Sequence, residues 1–173
     1  MVTLNSLVRE LEELPASVGV MKRLLQKSDG FGVLVYEQLK GISRQALFKN
    51  KKGVAVLIPK EGTKSGHWIC LLPRRNHLEY FSPLGQSFAT ELKQLNQAET
   101  HFDRLSGGKF IYNRTKLQSG DYNIKTCSQF VFARLMLYKL KLREFVTLFR
   151  SDVHLESPDE IVSMLCLLPF SSV

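Results

Sequence analysis

The spacing of apolar residues along the first third of the chain predicts helices. Apolar positions between Leu4 and Leu14 recur at helical intervals with charged residues between them, and Pro15 ends the pattern. The stretch VMKRLLQK, at 20–27, predicts a second helix before the SDGFG break. We assign 33–48 to a third helix that is interrupted near Gly41.

Short, β-branched apolar runs occupy the middle of the chain. GVAVLIP, HWICLLP and HLEYFSP, which begin at 53, 67 and 77, predict neighbouring strands, with a tight turn at Arg74-Arg75-Asn76 between the last two. The segment 85–99 returns to helical spacing through Phe88, Leu92 and Leu95. KFIYN, at 109–113, predicts one more short strand.

The last third is helical again. From Cys127 to Leu142 the chain is apolar on nearly all sides, which predicts a helix that is buried on most faces. REFVTLF and PDEIVSMLCLL predict two further helices. The pattern indicates one α+β domain, 1–173, in which a small, mainly antiparallel mixed sheet packs on a central helix that begins at Cys127, with flanking N- and C-terminal helices.

Composition and charge narrow the possible environments. The 173 residues carry a formal net charge of +8, which favours an acidic partner such as nucleic acid, although a basic and inert surface fits equally well. Three cysteines without close spacing predict neither a disulfide framework nor a zinc site. The N-terminus resembles neither a signal peptide nor a membrane span. We expect a soluble protein of a reducing compartment.

A cysteine stands where a polar loop meets the central helix. The loop SGDYNIKT ends at Cys127, and a helix start offers unpaired N–H groups and a positive dipole end that stabilise a thiolate. Cys127 is therefore a candidate nucleophile. The alternative is a small hydrophobic residue that opens a buried helix.

Two more residues are candidates for the same chemistry, and a third marks a strand terminus between them. His67 follows the EGTKSG loop and opens an apolar strand directly before the only tryptophan, Trp68, so it could serve as a base or be a boundary histidine beside the core. Ser82 ends the next strand within YFSPLGQ. Gln118 lies nine residues before Cys127, and its amide could donate to an oxyanion or simply be solvated.

In this order, His-Trp, Phe-x-Pro-x-Gly, Gln and Cys resemble the adenovirus-type, or adenain-like, viral cysteine endopeptidases. These share a fold with SUMO-specific proteases, and the similarity is nearest to maturation proteases of adenovirus-like viruses and Polinton-type elements. The resemblance implies that His67 is the general base, Cys127 the nucleophile and Gln118 an oxyanion donor. It also implies an orienting acid at the strand end, where this chain has Ser82 instead.

The resemblance implies a function and a setting as well. An active enzyme would cleave capsid or core precursor proteins in the virion or in the host nucleus or cytoplasm, without a required cofactor and without a membrane. Because Ser82 carries no charge, a weakly active or inactive virion protein is the first alternative, and a SUMO or ubiquitin-like deconjugase is the second. An activating peptide is a further conceivable partner. Viral DNA could act as a nonspecific cofactor, with candidate contacts at Lys49, Lys51, Lys52, Arg74, Arg75, Lys139, Lys141 and Arg143.

Overall fold

The computed structural model describes residues 16–26, 28–60, 62, 66–97, 101–107, 109–120, 124–150 and 156–167. The helix that the sequence predicts between Leu4 and Leu14 lies outside these ranges. The described residues form five strands and seven α-helices. In order they are α1 (Val18–Gln26), β1 (Phe31–Val35), α2 (Arg44–Leu47), β2 (Gly53–Pro59), β3 (Gly66–Pro73), β4 (Leu78–Phe81), α3 (Phe88–Gln94), α4 (Phe102–Ser106), β5 (Phe110–Tyr112), α5 (Cys127–Met136), α6 (Leu142–Thr147) and α7 (Pro158–Leu167).

The strands form one mixed sheet in the order β1-β2-β3-β4-β5. The three middle strands, β2, β3 and β4, pair antiparallel with one another, whereas β1 pairs parallel to β2 and β5 parallel to β4. The α+β class and the sheet on a central helix are confirmed. None of the helices in the described ranges is both long and apolar enough to cross a membrane.

The two sheet faces bury different sets of helices because side chains alternate along each strand. On one face, Trp68, Cys70 and Phe81 pack against α5. On the other face, Ile69, Leu71 and Tyr80 share a core with residues of α2, α3 and α4. The sheet is thus the middle layer of a three-layer structure, which explains why β2 is apolar throughout and β3 is apolar from Trp68 onward.

Two sequence-based assignments need correction. The stretch 33–48 is not one helix: it continues β1 to Val35, follows with a short 3₁₀ helix over Tyr36–Leu39, and becomes helical again only in α2. Its apolar residues up to Val35 pair with β2, and this contact favours a strand where the local pattern fits a helix equally well. The central helix is also shorter than predicted. It ends at Met136, and the Arg134 guanidinium donates hydrogen bonds to the carbonyl groups of Leu137 and Leu140 that follow.

A buried ion cluster fixes this helix to the sheet. Glu79 in β4 is 1% exposed and accepts hydrogen bonds from Arg74 at 2.9 Å and from Arg134 at 2.8 Å. Arg134 is fully buried. Glu79 faces α5, and strand alternation places Ser82 on the opposite face. Glu79 therefore holds the fold together and does not serve the candidate site.

Candidate active site

The candidate nucleophile begins the central helix beside the start of β3, the middle strand of the sheet. Cys127 is the first residue of α5, is 7% exposed, and packs in the same core as Trp68. Its thiol hydrogen-bonds with the backbone N–H groups of Trp68, Ser128 and Cys127 itself. The thiol therefore lies at the backbone of the residue that directly follows His67.

Burial dominates the acidity of this thiol. It raises the pKa of Cys127 to about 11, and the Glu91 carboxylate adds a smaller effect in the same direction. The three backbone N–H groups act the other way, as expected at a helix start. The N–H groups at the helix start therefore lower the pKa, but the loss of hydration outweighs them.

The candidate base is held from the strand-end side. His67, 7% exposed, is the second residue of β3, and its Nε2 lies 3.1 Å from Ser82 Oγ. Ser82 follows the last residue of β4 and is fully buried. Burial lowers the pKa of His67 to about 4, so the imidazole is neutral at pH 7.

A carboxylate that the sequence analysis did not select lies behind this pair. Glu91 of α3 is 1% exposed, and its Oε2 is 3.8 Å from His67 Nε2. The same carboxylate hydrogen-bonds with the Ser82 hydroxyl and accepts a 2.5 Å hydrogen bond from Tyr80 Oη. Burial raises the pKa of Glu91 to about 7. The distance to His67 permits attraction, yet burial drives both groups toward neutrality, so a full ion pair does not form at rest.

The strand end that carries Ser82 is fastened by an asparagine. The Ser82 N–H donates to Asn113 Oδ1 at 3.1 Å, and Asn113 Nδ2 donates back to the Ser82 carbonyl at 2.6 Å. Asn113 follows β5 directly and is 4% exposed. This reciprocal pair fixes the backbone from which the Ser82 side chain meets His67.

The candidate oxyanion donor comes to the same strand end. The N–H groups of Leu117 and Gln118 both donate to the Pro83 carbonyl, at 2.8 and 3.0 Å. The Gln118 side chain is 8% exposed, and its Nε2 donates to the Ile124 carbonyl at 3.3 Å. The amide is thus bonded within its own loop in this state.

A second carboxylate missed in the sequence anchors both ends of the loop before the cysteine. Asp159 in the first turn of α7 accepts from the Ser119 N–H at 2.8 Å and from the Thr126 hydroxyl. Ser119 follows Gln118, and Thr126 precedes Cys127. One buried side chain therefore positions the candidate donor and the candidate nucleophile together. Burial raises its pKa above the ordinary value.

The predicted basic contacts come from three chain segments that meet near Tyr138. The Lys52 ammonium lies 5.5 Å from the Tyr138 ring centre, and Arg74 donates to the Tyr138 carbonyl. The Arg74 guanidinium is occupied by Glu79 and by backbone carbonyls, whereas all the other candidates except the partly buried Lys51 are exposed. These are Lys49, Lys51, Lys52, Arg75, Lys139, Lys141 and Arg143.

Comparison with known proteins identifies a viral relative and a similar solved structure. No family model matches the chain. An uncharacterized protein, V9, of the Sputnik virophage is 28% identical over 133 residues, which are 66% of this chain and 74% of that protein. The crystal structure of ASFV pS273R protease superposes with a TM-score of 0.45 at 10% identity, covering 90% of this chain and 72% of that one.

Proposed function

We propose that the protein is a viral cysteine endopeptidase. The observation that carries the proposal is the meeting of Cys127, at the start of a buried helix, with the backbone beside His67, whose Nε2 is held by Ser82. A nucleophile next to an oriented base is the arrangement that acyl transfer requires. The virophage relative supports a viral setting, in which capsid or core precursors would be the substrates.

The mechanism follows from the protonation states at rest. A neutral imidazole whose Nε2 faces Ser82 leaves Nδ1 to accept the thiol proton as the sulfur attacks a peptide carbonyl. The S–C bond forms, the carbonyl electron pair moves to oxygen, and the Cys127 N–H and the Gln118 amide can donate to that oxygen. The imidazolium then protonates the leaving amine as the C–N bond breaks. Water, deprotonated by the imidazole, releases the acid from the thioester.

Gln118 has to change its partner for this role. Its Nε2 donates to Ile124 in the free protein, so substrate binding must exchange that hydrogen bond for one to the oxyanion. The exchange costs little, because the oxyanion that replaces the Ile124 carbonyl is the more negatively charged acceptor.

The decisive experiment separates the three cysteines. A pool of internally quenched peptides with small residues at the cut, and a peptide vinyl sulfone, are offered to the wild type and to Cys127→Ala, Cys70→Ala and Cys166→Ala. Only Cys127→Ala should lose both cleavage and labelling while its circular dichroism stays unchanged. Wild-type cleavage by Cys127→Ala would refute the proposal. No cleavage and no labelling in any protein would favour an inactive virion component, and cleavage confined to di-Gly ubiquitin-like conjugates would favour a deconjugase.

DNA binding is a second candidate function, favoured by the convergence of basic segments near Tyr138. Binding should be indifferent to sequence and should weaken steeply with salt, because released counterions dominate such contacts. Lys139→Ala together with Lys141→Ala should reduce affinity and the salt slope. Lys93→Ala, an exposed lysine on the helix layer of the opposite sheet face, is the matched control. Equal affinity in both variants would contradict this assignment.

A further inference from the structure

We propose that Glu91, acting through the hydroxyl of Ser82, is the positioning residue that holds His67 in the tautomer whose Nδ1 is free to accept a proton. The inference rests on the proposed function, because it assigns the missing orienting acid of that site. The acid comes from α3, across the sheet from the nucleophile helix, and not from the strand end where the family pattern places it.

The inference begins from the hydrogen bonds of the Ser82 hydroxyl. Its Oγ accepts from the Leu84 N–H at 3.2 Å, lies 3.1 Å from His67 Nε2, and hydrogen-bonds with the Glu91 carboxylate. A serine hydroxyl has one proton to donate and two lone pairs to accept with. Three neighbours therefore use its whole capacity.

The direction of each bond follows from what the neighbours can do. A backbone N–H only donates, and an ionised carboxylate only accepts, so the single Ser82 proton goes to Glu91. The remaining lone pair of Ser82 must then accept from His67, which requires the proton of the neutral ring to be on Nε2. Nδ1 is left unprotonated, and it is the ring nitrogen that the mechanism needs as a base.

The surroundings of Glu91 keep its acceptor oxygen aimed at this network. Tyr80 in β4 donates to the same Oε2 at 2.5 Å, and Glu91 is almost wholly buried. The titratable groups that face the carboxylate are Tyr80 from β4, His67 from β3 and, through the field at its thiol, Cys127 from α5. The other carboxylate oxygen, Oε1, is buried without a hydrogen bond and is the place for a proton when Glu91 is neutral.

Glu91→Gln tests the inference with almost no change in shape. Oε1 has no partner, so the glutamine oxygen can take the place of Oε2 and keep the Tyr80 bond. A neutral amide oxygen is a weaker acceptor than a carboxylate, so the Ser82 proton is held less firmly and turns more often toward His67 Nε2, which raises the population of the opposite tautomer. We expect kcat for the best quenched peptide to fall about 10- to 100-fold with KM within about twofold, less than the loss when a directly bonded acid is replaced by its amide.

Two further variants separate positioning from simple destabilisation. Ser82→Ala should lose about as much as Glu91→Gln, and the double variant should lose no more, because both act on one chain of hydrogen bonds. Glu91→Asp, which keeps the charge, should recover part of kcat. Glu37→Gln removes an equally negative but exposed side chain and serves as the control. Additive losses in the double variant, or a full kcat in Glu91→Gln, would overturn the inference.

The ring nitrogens of His67 provide a readout that needs no substrate. Nitrogen-15 shifts of the labelled full chain at pH 7 should report Nε2–H in the wild type and a substantial Nδ1–H population in Glu91→Gln. A wild-type Nδ1–H ring, or an unchanged Nε2–H ring in the variant, would refute the role of Glu91 even if the peptides are cleaved. Failure to cleave any peptide together with the expected tautomers would refute the endopeptidase proposal alone.

Discussion

Cys127 should react with alkylating agents as a buried thiol and not as a preformed thiolate. Its pKa of about 11 and the His67 pKa of about 4 differ by about 7, which corresponds to roughly 10 kcal/mol against moving the proton to the imidazole. Attraction between a thiolate and an imidazolium about 4 Å apart offsets only about 4 kcal/mol at an effective dielectric constant near 20. The neutral pair should therefore predominate in the free protein.

The pKa of Cys127 also determines how much slower its alkylation should be than that of a free cysteine. At pH 7 about one Cys127 side chain in 10⁴ is a thiolate, whereas a free cysteine with a pKa near 8.5 is a few per cent ionised, a difference of roughly 300-fold. A more basic thiolate is intrinsically more nucleophilic by roughly tenfold over this interval. Alkylation of Cys127 should be about 30-fold slower than that of a free thiol.

The assay is iodoacetamide labelling between pH 6 and 10, with each cysteine quantified by mass spectrometry. Cys70→Ala combined with Cys166→Ala isolates the Cys127 signal, and guanidinium-unfolded protein gives the free-thiol rate. The rate should rise tenfold per pH unit across the whole range. A plateau below pH 8, at a rate above the free thiol, would mean that the ion pair exists at rest and would refute the reasoning from burial.

Three predictions concern stability, each measured by urea unfolding. Arg134→Met should cost about 3–5 kcal/mol, because it removes a buried partner of the Glu79 carboxylate; a cost below about 1 kcal/mol would contradict this. Gly85→Ala should cost about 1–3 kcal/mol, because φ is +68° and a Cβ would lie 2.5 Å from neighbouring backbone, and an unchanged midpoint would show that the turn relaxes freely. The pKa of Glu91 is raised in the folded protein, so its contribution to folding stability is fully present below pH 4.5 and is lost as the pH rises through 7. The pKa of His67 is lowered in the folded protein, so His67 makes stability fall as the pH drops from 6.5 to 4. Glu91→Gln should therefore lose about 3 kcal/mol relative to the wild type between pH 7 and 4.5, and parallel pH curves would refute the assignment.

Residues that lie at the ends of predicted strands and helices could be identified from the sequence. Strand ends and helix starts are marked by composition, so Cys127 and His67 could be proposed from the residues themselves, whereas Ser82 was connected with the site only by the family resemblance. The β1 strand could not be separated from a helix, because its apolar run satisfies both patterns until β2 lies beside it.

Residues whose roles depend on contacts between elements were missed. Asp159 looked like an ordinary first-turn acid, and nothing local shows that it reaches both Ser119 and Thr126. Glu91 did carry a signal. Helical spacing from Phe88 to Leu92 and Leu95 places Glu91 on the apolar side of α3, where an unpaired carboxylate would be costly. A charged residue on the apolar side of a helix predicts a buried polar partner, but the sequence does not show which element supplies that partner.

The position of Glu91 changes what can be inferred about activity from the presence of Ser82 at the strand end. A serine at the strand end cannot stabilise an imidazolium by charge, which by itself favours an inactive protein. A buried carboxylate 3.8 Å from the same ring nitrogen supplies that charge from a different element, and Ser82 has the donor and acceptors needed to connect the two. Because the pKa of Glu91 is about 7, the negative charge is available near neutral pH and is lost as pH falls below that value. The absence of a strand-end acid is thus compatible with a working endopeptidase, provided that its activity declines below neutrality along with the ionisation of Glu91.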